Sequence, residues 1–350
     1  MDIEKNKILI TGASGSLGKQ LIYELNRRGV KPVTHVRETS DTSYVDSLGL
    51  EKRYADLRNE ESLEKLVDGI DAVIHTAAWV NFRQDRLTQF TGINTFGALN
   101  TFRAAQKAGV KRFVHVSTAA AVGAVRRKNN SAIPFEDLLV RESTEFNLGH
   151  LRIPYIMTKR AAEEELKKAA SESSMELVTV NPTIIVGPSR TGDDRGKTHR
   201  LFNRFVMPDL PVRVNLVDIR DVAPAIIAAM CKGRNGERYI LAGDNITVKD
   251  LVLAVSSIIG RVPHVLRIPR PVYDFSARAA FVLAKLIGRG KISYYPDLVK
   301  MLDYDWAYSY SKAREELGFR CRSIHDTLDE LLNNNFVGTY LKPGNGARHY

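Results

Sequence analysis

The sequence ILITGASGSLG at residues 8–18 decides the fold, because an apolar run leads directly into three glycines spaced three residues apart. The apolar run predicts a buried strand, and the residues after it predict a helix. Gly12 permits a tight turn, Gly15 lets a ligand approach the backbone, and Gly18 lets helix and strand pack closely. Because the positive end of such a helix binds phosphate, this β-turn-α pattern predicts a dinucleotide site.

Strand-like and helix-like patterns alternate through the first half of the chain. We expect strands at residues 7–11, 32–36, 52–55, 71–75, 112–117 and 176–181. We expect helices after the glycine turn and at residues 60–67, 90–108 and 155–171. This alternation predicts an α/β fold with a Rossmann-type doubly wound parallel sheet, in which ligands bind at the carboxyl ends of the strands.

The alternation stops after Pro182. We therefore expect a dinucleotide-binding domain over residues 1–182 and a smaller C-terminal lobe, mostly for substrate binding, over 183–340. A strand near 238–241 is expected to return to the main sheet, and helices are expected at 247–259 and 323–333. The polar segment 189–199 is either a mobile flap or an exposed loop, and residues 341–350 are expected to be disordered.

The composition favours an ordinary globular protein of a reducing cellular compartment. The 350 residues include only two cysteines, Cys231 and Cys321, and their spacing predicts neither a metal site nor a disulfide framework. The formal charge of +11 comes from scattered residues with no nucleic-acid-binding pattern, so it predicts no nucleic-acid partner. The first strand follows Met1 so closely that no cleaved signal peptide is expected, and the cytoplasm is the expected location.

An apolar helical pattern at residues 271–287 has two interpretations. With its internal charges and short length it is not expected to span a bilayer, which needs about 20 apolar residues. It is either a helix lining the substrate cavity or, with the basic residues around it at 270–291, an interfacial helix in weak contact with an anionic membrane surface.

Tyr155 and Lys159 are the first candidates for chemistry, because residues four apart share one face of a helix. A cation beside a phenol can bring proton exchange closer to neutral pH. Thr118 follows the fifth expected strand, so its hydroxyl is expected at the same sheet edge. Tyr308 and Lys312 have the same spacing, but they lie late in the chain and are expected to be surface or packing residues.

With these motifs the chain resembles the extended short-chain dehydrogenase/reductase family, of the NAD-dependent epimerase/dehydratase type. The motifs are TGASGSLG at 11–18, HTAA at 75–78, Asn94, ST at 117–118, YIMTK at 155–159, NP at 181–182 and DIRDV at 218–222. The resemblance implies that Tyr155 donates or accepts a proton, that Thr118 polarises the substrate oxygen, and that Lys159 lowers the phenol pKa and holds the nicotinamide ribose. It implies that Asn94 either joins a proton relay or only holds its helix.

The same resemblance implies a set of cofactor contacts. They are Gly12, Ser14, Gly15, Ser16, Leu17, Asp56, Leu57, Thr76, Ala77, Ala78, Tyr155, Lys159, Pro182 and Ile185. NAD-preferring members carry an acidic residue at the end of the second strand, where this chain has Arg37. Since arginine binds phosphate bidentately, Arg37 predicts NADP, with NAD less favoured; the alternative is a solvent-facing arginine without a ligand.

The sequence constrains the reaction and the substrate less than it constrains the fold and the cofactor. Dehydratases of the family usually carry an acidic pair after the catalytic hydroxyl, whereas this chain has Ala119-Ala120. Residues 308–319 and the insert before Tyr155 resemble the dihydroflavonol-reductase and 3β-hydroxysteroid-dehydrogenase branch. The leading hypothesis is therefore an NADP-dependent oxidoreductase acting on a carbonyl or secondary alcohol of a fairly hydrophobic small molecule. The alternatives are a nucleotide-sugar epimerase and a non-catalytic NADP-binding sensor.

Two expectations concern binding surfaces. Val80, Asn81 and Asn181 are expected to contact the substrate. Helices 90–108 and 155–171 are expected to pair in a homodimer, as the resemblance suggests.

Overall fold

The structure is a computed structural model of the 350-residue chain. It describes residues 1–80, 87–127, 134–188, 206–208, 210, 212–260, 264–266, 271–272, 274–275 and 295–333. Strands and helices are numbered below in chain order.

A seven-stranded sheet forms the centre of the fold. Its strands are β1 (Ile8–Thr11), β2 (Val33–Val36), β3 (Lys52–Tyr54), β4 (Ala72–His75), β5 (Arg112–Val116), β7 (Glu176–Pro182) and β11 (Arg238–Leu241). The strand order is β11-β7-β5-β4-β1-β2-β3, and every neighbouring pair is parallel. The predicted doubly wound parallel sheet is confirmed, and so is the return of 238–241, because Arg238 pairs with Thr179 beside β7.

Helices cover both faces of this sheet. They are α1 (Ser16–Asn26), α2 (Ser43–Ser47), α3 (Glu60–Val67), α4 (Leu87–Phe90), α5 (Ala98–Lys107), α6 (Pro154–Ser171) and α7 (Ile219–Lys232). Alternation along β1 explains the two layers, because successive side chains of a strand point to opposite faces. Ile8 and Ile10 pack in one apolar cluster with α1 and α7, whereas Leu9 packs in another with α3, α5 and α6.

The predicted helix at 90–108 is more complex than its pattern indicates. A π-helical stretch, Thr91–Gly97, separates α4 from α5. The wider i→i+5 hydrogen bonding of such a stretch changes which side chains face the neighbouring elements, and π-helical turns often occur at functional sites. Here the stretch contacts α6, so it lies next to the helix that carries Tyr155.

The second half contains regular structure that the sequence pattern did not predict. β8 (Ile184–Val186), β10 (Arg213–Asp218) and β12 (Asp244–Thr247) form a three-stranded sheet in the order β12-β10-β8. Helix α7 was also not predicted, although Asp218 caps it by accepting a hydrogen bond from the Arg220 N–H at 2.7 Å. Most of its buried residues belong to the main core, so α7, which lies between β10 and β12 in the chain, packs back onto the seven-stranded sheet.

Shorter elements complete the described part. β6 (Val125–Arg126) pairs with β14 (Tyr304–Asp305), and β9 (Val206–Pro208) pairs with β13 (His264–Leu266). The remaining α-helices are α8 (Val248–Ile259), α9 (Tyr295–Lys300) and α10 (Ile324–Leu332). The helices predicted at 247–259 and 323–333 are confirmed, with Thr247 and Ser323 as their capping residues.

Several expectations fall outside the described residues. They include the segment 189–199, the tail 341–350, and most of 270–291, of which only residues 271–272 and 274–275 are described. Within the described ranges, no helix has the length and apolar character that crossing a membrane requires. The same ranges contain no cluster of three or more potential metal ligands, and both cysteines are free thiols.

Candidate functional site

The glycine turn after β1 leaves no room for side chains on its inner side. Gly12 has φ +69°, and a Cβ there would lie 2.9 Å from the Ala77 backbone. A Cβ on Gly18 would overlap the Gly12 carbonyl oxygen and lie 2.7 Å from the Ala13 Cα. A Cβ on Gly15 would meet only the Gly12 oxygen, at 3.3 Å.

Its outer side is open. Gly15 and Ser16 are exposed where α1 begins, and Ser14 and Leu17 are partly buried beside them. This is a bare backbone surface at a helix N-terminus, which fits a pyrophosphate.

The carboxyl ends of β1 and β4 are tied together beside this turn. The Thr76 hydroxyl donates to the Thr11 carbonyl oxygen at 2.6 Å, and the Ala77 N–H donates to the Thr11 hydroxyl at 3.3 Å. The Thr11 hydroxyl is also 3.0 Å from His75 Nδ1. Thr76 and Ala77 are therefore held against Gly12, at the strand ends where a dinucleotide binds in this type of sheet, and Ala78 follows them partly buried.

Arg37 lies exposed at the carboxyl end of β2, and none of the described residues forms an ion pair with it. Asp56, in contrast, is paired with Arg58 at 2.5 Å, and hydrogen bonds from Arg58 lower the pKa of Asp56 to about 2. Leu57 is buried against α3 and α5. Lys19 on α1 was not singled out as a candidate site residue from the sequence. Its side chain is 2% exposed, and its Nζ lies 3.8 Å from Asp41, in the segment after β2.

Thr118 and Tyr155 meet at the carboxyl end of β5. Tyr155 lies in the first turn of α6, after Pro154 at the favoured first helical position. The Tyr155 phenol and the Thr118 hydroxyl are hydrogen-bonded to each other, whereas Ser117 is buried and its hydroxyl has no partner among the described residues. Burial raises the pKa of Tyr155 to about 12, against the opposing effect of Thr118.

Lys159 lies one turn further along α6 and is 1% exposed. Its Nζ donates to the Val116 carbonyl oxygen at 2.7 Å and lies 3.5 Å from His115 Nε2. Burial lowers the pKa of Lys159 to about 8, and the charge of Glu163 opposes this change. Burial is the largest influence on the phenol pKa, and the expectation that Lys159 lowers it stays a prediction.

Two buried histidines lie behind Lys159, and sequence reasoning missed their role in the site. His75 and His115 stack with ring centroids 5.7 Å apart, and neither is exposed. Burial, reinforced by the nearby Lys159 charge, holds the pKa of both rings well below 6.5. Both are neutral at physiological pH, so His115 Nε2 can accept a hydrogen bond from the ammonium. Their positions on adjacent buried strands were the signal for this pairing.

Asn94 lies within the π-helical stretch and is 1% exposed. Its Oδ1 accepts from the Trp79 N–H at 2.6 Å. Its Nδ2 donates to the Trp79 carbonyl oxygen at 3.1 Å and to the Thr158 hydroxyl at 3.2 Å. These contacts support the structural alternative for Asn94, which holds the segment after β4 against α6.

The expected substrate contacts differ in their surroundings. Val80 is 58% exposed, and Asn81 lies outside the described residues. Asn181 has no exposed surface, and its Nδ2 donates to the Thr118 carbonyl oxygen at 3.0 Å. Asn181 therefore lies behind Thr118, and its contact with a substrate stays a prediction.

The last expected cofactor contacts lie near the end of β7. Pro182 is buried there, and Ile185 in β8 packs against the main core. Their contact with the dinucleotide stays a prediction.

The second Tyr-Lys pair is structural, as expected. Tyr308 is buried, and its hydroxyl donates to the Gly123 carbonyl oxygen at 3.0 Å. Lys312 bonds to Glu237 and donates to the Arg238 carbonyl oxygen at 3.0 Å. Both polar groups are therefore used in packing.

Fold and site together define a nicotinamide-dinucleotide enzyme of the extended short-chain dehydrogenase/reductase type. The chain belongs to the NAD dependent epimerase/dehydratase family, whose model matches residues 8–242.

Relatives and a solved structure agree with this assignment. The chain is 31% identical over 274 residues to sterol demethylase protein B of Methylococcus capsulatus, covering 75% of this chain and 77% of the relative. It is 29% identical over 343 residues to a putative dihydroflavonol 4-reductase of Synechocystis, covering 94% and 96%. The crystal structure of gox2253 superimposes with a TM-score of 0.79 at 25% identity, covering 97% of this chain and 100% of that one.

Proposed function

We propose that this protein is an NADP-dependent oxidoreductase that transfers hydride between the nicotinamide and a carbonyl or secondary alcohol of a fairly hydrophobic small molecule. The hydrogen-bonded Thr118 and Tyr155 pair, one helical turn from the buried Lys159, is the observation that carries this proposal. A polarising hydroxyl, a proton donor and a cation at one sheet edge are the groups that carbonyl reduction requires.

The chain's own residues have separable roles in this proposal. Because the pKa of Tyr155 is about 12, its phenol is protonated at neutral pH and can donate a proton to a substrate oxygen. The Thr118 hydroxyl polarises the same oxygen, and Lys159 holds the nicotinamide ribose. When bound, the nicotinamide supplies or accepts the hydride.

The preference for NADP rests on Arg37. Its guanidinium is exposed at the end of β2 with no ion-pair partner among the described residues, so it is available for the 2′-phosphate of NADP. The glycine turn and the exposed start of α1 hold the pyrophosphate, as their bare backbone supports.

The substrate class rests on the relatives. One is named for sterols and the other for a dihydroflavonol, and both names denote rigid ring systems. We therefore favour a ring ketone or ring alcohol as substrate. Homodimer formation and cytoplasmic location remain part of the proposal, as does contact of 270–291 with a membrane surface.

The test is a substrate panel with purified protein. Sterol ketones, dihydroflavonols and UDP-sugars are incubated with NADPH or NADH, and nicotinamide absorbance is followed. Oxidation of NADPH by a ring ketone supports the proposal. Interconversion of UDP-sugars without net absorbance change would instead identify an epimerase, and tight NADP binding without any turnover would identify a sensor.

Tyr155→Phe tests the assignment of the proton donor. Loss of the phenol should reduce kcat by about 100-fold or more while leaving NADPH affinity nearly unchanged. Tyr308→Phe is the matched control, because it removes a buried phenol that bonds only to the Gly123 backbone in the described part, and its kcat should stay at the wild-type level. A Tyr155→Phe enzyme that retains more than about a tenth of the wild-type rate refutes the assignment.

A further inference from the structure

Glu163 is a buried acid that the proposed reaction does not use. It lies on α6, one turn beyond Lys159 and two beyond Tyr155, so the three side chains share one face of the helix. Glu163 is only 5% exposed. An acidic side chain is almost never buried to this degree unless it is paired, because its charge loses the solvation of water.

The partners of Glu163 connect it to Thr118. Its Oε1 accepts a hydrogen bond from Asn181 Nδ2 at 2.7 Å, and its Oε2 lies 3.3 Å from a guanidinium nitrogen of Arg238. The same Asn181 nitrogen donates to the Thr118 carbonyl oxygen at 3.0 Å. Arg238 on β11, Glu163 on α6 and Asn181 on β7 therefore form a continuous chain of contacts that ends on the backbone of Thr118.

Glu163 also acts on Lys159. The groups that face Lys159 are His115 on β5, His75 stacked behind it, and Tyr155 on its own helix, and all three are neutral at pH 7. Glu163 is faced by Arg238, Asn181 and Lys159. Among the described residues, the charge of Glu163 is what raises the pKa of Lys159 against the effect of burial.

We propose that Glu163 is a positioning residue of the site, which fixes the Thr118 backbone through Asn181 and presents its carboxylate on the face of α6 that carries Lys159. The proposal rests on the proposed function, because it assigns Glu163 to the same reaction. A buried ion pair that served stability alone would leave the kcat of a folded enzyme unchanged, so turnover distinguishes a positioning role from a stabilising one.

The first test needs no substrate and no nucleotide. Protein labelled with ¹³C-lysine is titrated by NMR, and the Cε signal of Lys159 is assigned by its loss in Lys159→Met. In the wild type this signal should titrate near pH 8. Glu163→Gln removes the charge but keeps the size, so the midpoint should move to lower pH.

Glu165→Gln is the matched control for this titration. It removes the same charge from α6 at a side chain that is 40% exposed and paired with Lys168. The Lys159 midpoint should not change in this variant. An unchanged midpoint in folded Glu163→Gln overturns the electrostatic role of Glu163, whether or not the wild type turns over any substrate.

The second test uses the ring ketone found active in the substrate panel. Glu163→Asp keeps the charge but shortens the reach to Asn181, so kcat should fall by about tenfold or more with little change in KM, because Thr118 is no longer held. This variant also decides the question if Glu163→Gln does not fold. A Glu163→Asp enzyme with wild-type kcat overturns the positioning role, whereas absence of turnover by the wild type refutes only the proposed function.

Discussion

Replacing Lys159 with methionine should remove a pH-dependent cost of folding. The side chain is 1% exposed, and burial lowers its pKa from 10.5 to about 8. At about 1.4 kcal/mol per pH unit, this difference corresponds to about 3 kcal/mol by which the folded state disfavours the charged ammonium. Methionine has similar length and no charge, so Lys159→Met does not bear this cost.

The sign of the effect follows from proton binding. Below about pH 8 the folded and unfolded states both carry the ammonium, and the full cost is present. Between about pH 8 and 10.5 the folded state loses the proton while the unfolded state retains it, so the wild type gains stability as the pH rises. The variant lacks this gain, and Tyr155 titrates alike in both proteins.

The assay is urea unfolding of both proteins from pH 7 to pH 10.5. The free energy of unfolding of the wild type, relative to Lys159→Met, should rise by about 3 kcal/mol across this range. At pH 7 the variant gains about 3 kcal/mol by losing the charge, but it leaves the Val116 carbonyl without its donor, which costs about 1–3 kcal/mol. The pH dependence is therefore the sharper measurement.

Lys168→Met is the control, because Lys168 lies on the same helix with 73% of its side chain exposed. Because the pair with Glu165 raises the pKa of Lys168, the free energy of unfolding of the wild type, relative to Lys168→Met, should not rise over this pH range. If Lys159→Met shows the same flat profile to within about 0.5 kcal/mol, Lys159 is not a buried ammonium with a lowered pKa, and the electrostatic description of the site is refuted.

Two further predictions concern the dinucleotide. Arg37→Asp should reverse the preference from NADP toward NAD, because the acid repels the 2′-phosphate and accepts hydrogen bonds from the ribose hydroxyls. An unchanged ratio of the Kd values for NADP and NAD would exclude Arg37 from this role. Gly18→Ala should lower the free energy of unfolding by about 1–3 kcal/mol, since its Cβ would overlap backbone atoms. Gly15→Ala should instead fold normally and lose dinucleotide affinity, because its Cβ would have only one neighbour, at 3.3 Å. Equal unfolding midpoints for the two alanine variants would contradict this division of roles.

Local sequence patterns predicted the strands and helices of the first half of the chain well, because these elements depend mainly on residues close to one another in sequence. β1 and its glycine turn were predicted from eleven consecutive residues, and the helix at 60–67 has the predicted bounds. Parallel pairing then places the ends of β1, β4 and β5 at one edge, which is why Thr118 and Tyr155 could be predicted to meet. The hydrogen bond between them agrees with that prediction.

Other features depend on contacts between distant residues and could not be predicted locally. β10 pairs with β8 and β12, so its identity as a strand depends on segments on either side of it. The rise in the Tyr155 pKa results from burial by several elements, which a helical spacing does not show. Glu163 was open to prediction, because it continues the spacing of Tyr155 and Lys159 by one further turn, but only its contact with Asn181 indicates a role.

The buried ionisable groups of β4, β5 and α6 are best explained by function. Four of these groups are each at most 5% exposed: His75, His115, Lys159 and Glu163. An apolar side chain at any of these positions could be buried without this loss of solvation. The strand positions beside them are apolar, as in Val73, Ile74, Phe113 and Val114, so the local structure does not require polar groups. The presence of this cost on the strands and helix leading to Thr118 and Tyr155 supports the proposal that proton transfer takes place at that edge. The prediction for Lys159→Met follows directly from this reasoning, since the variant should lack the pH-dependent cost of a buried ammonium.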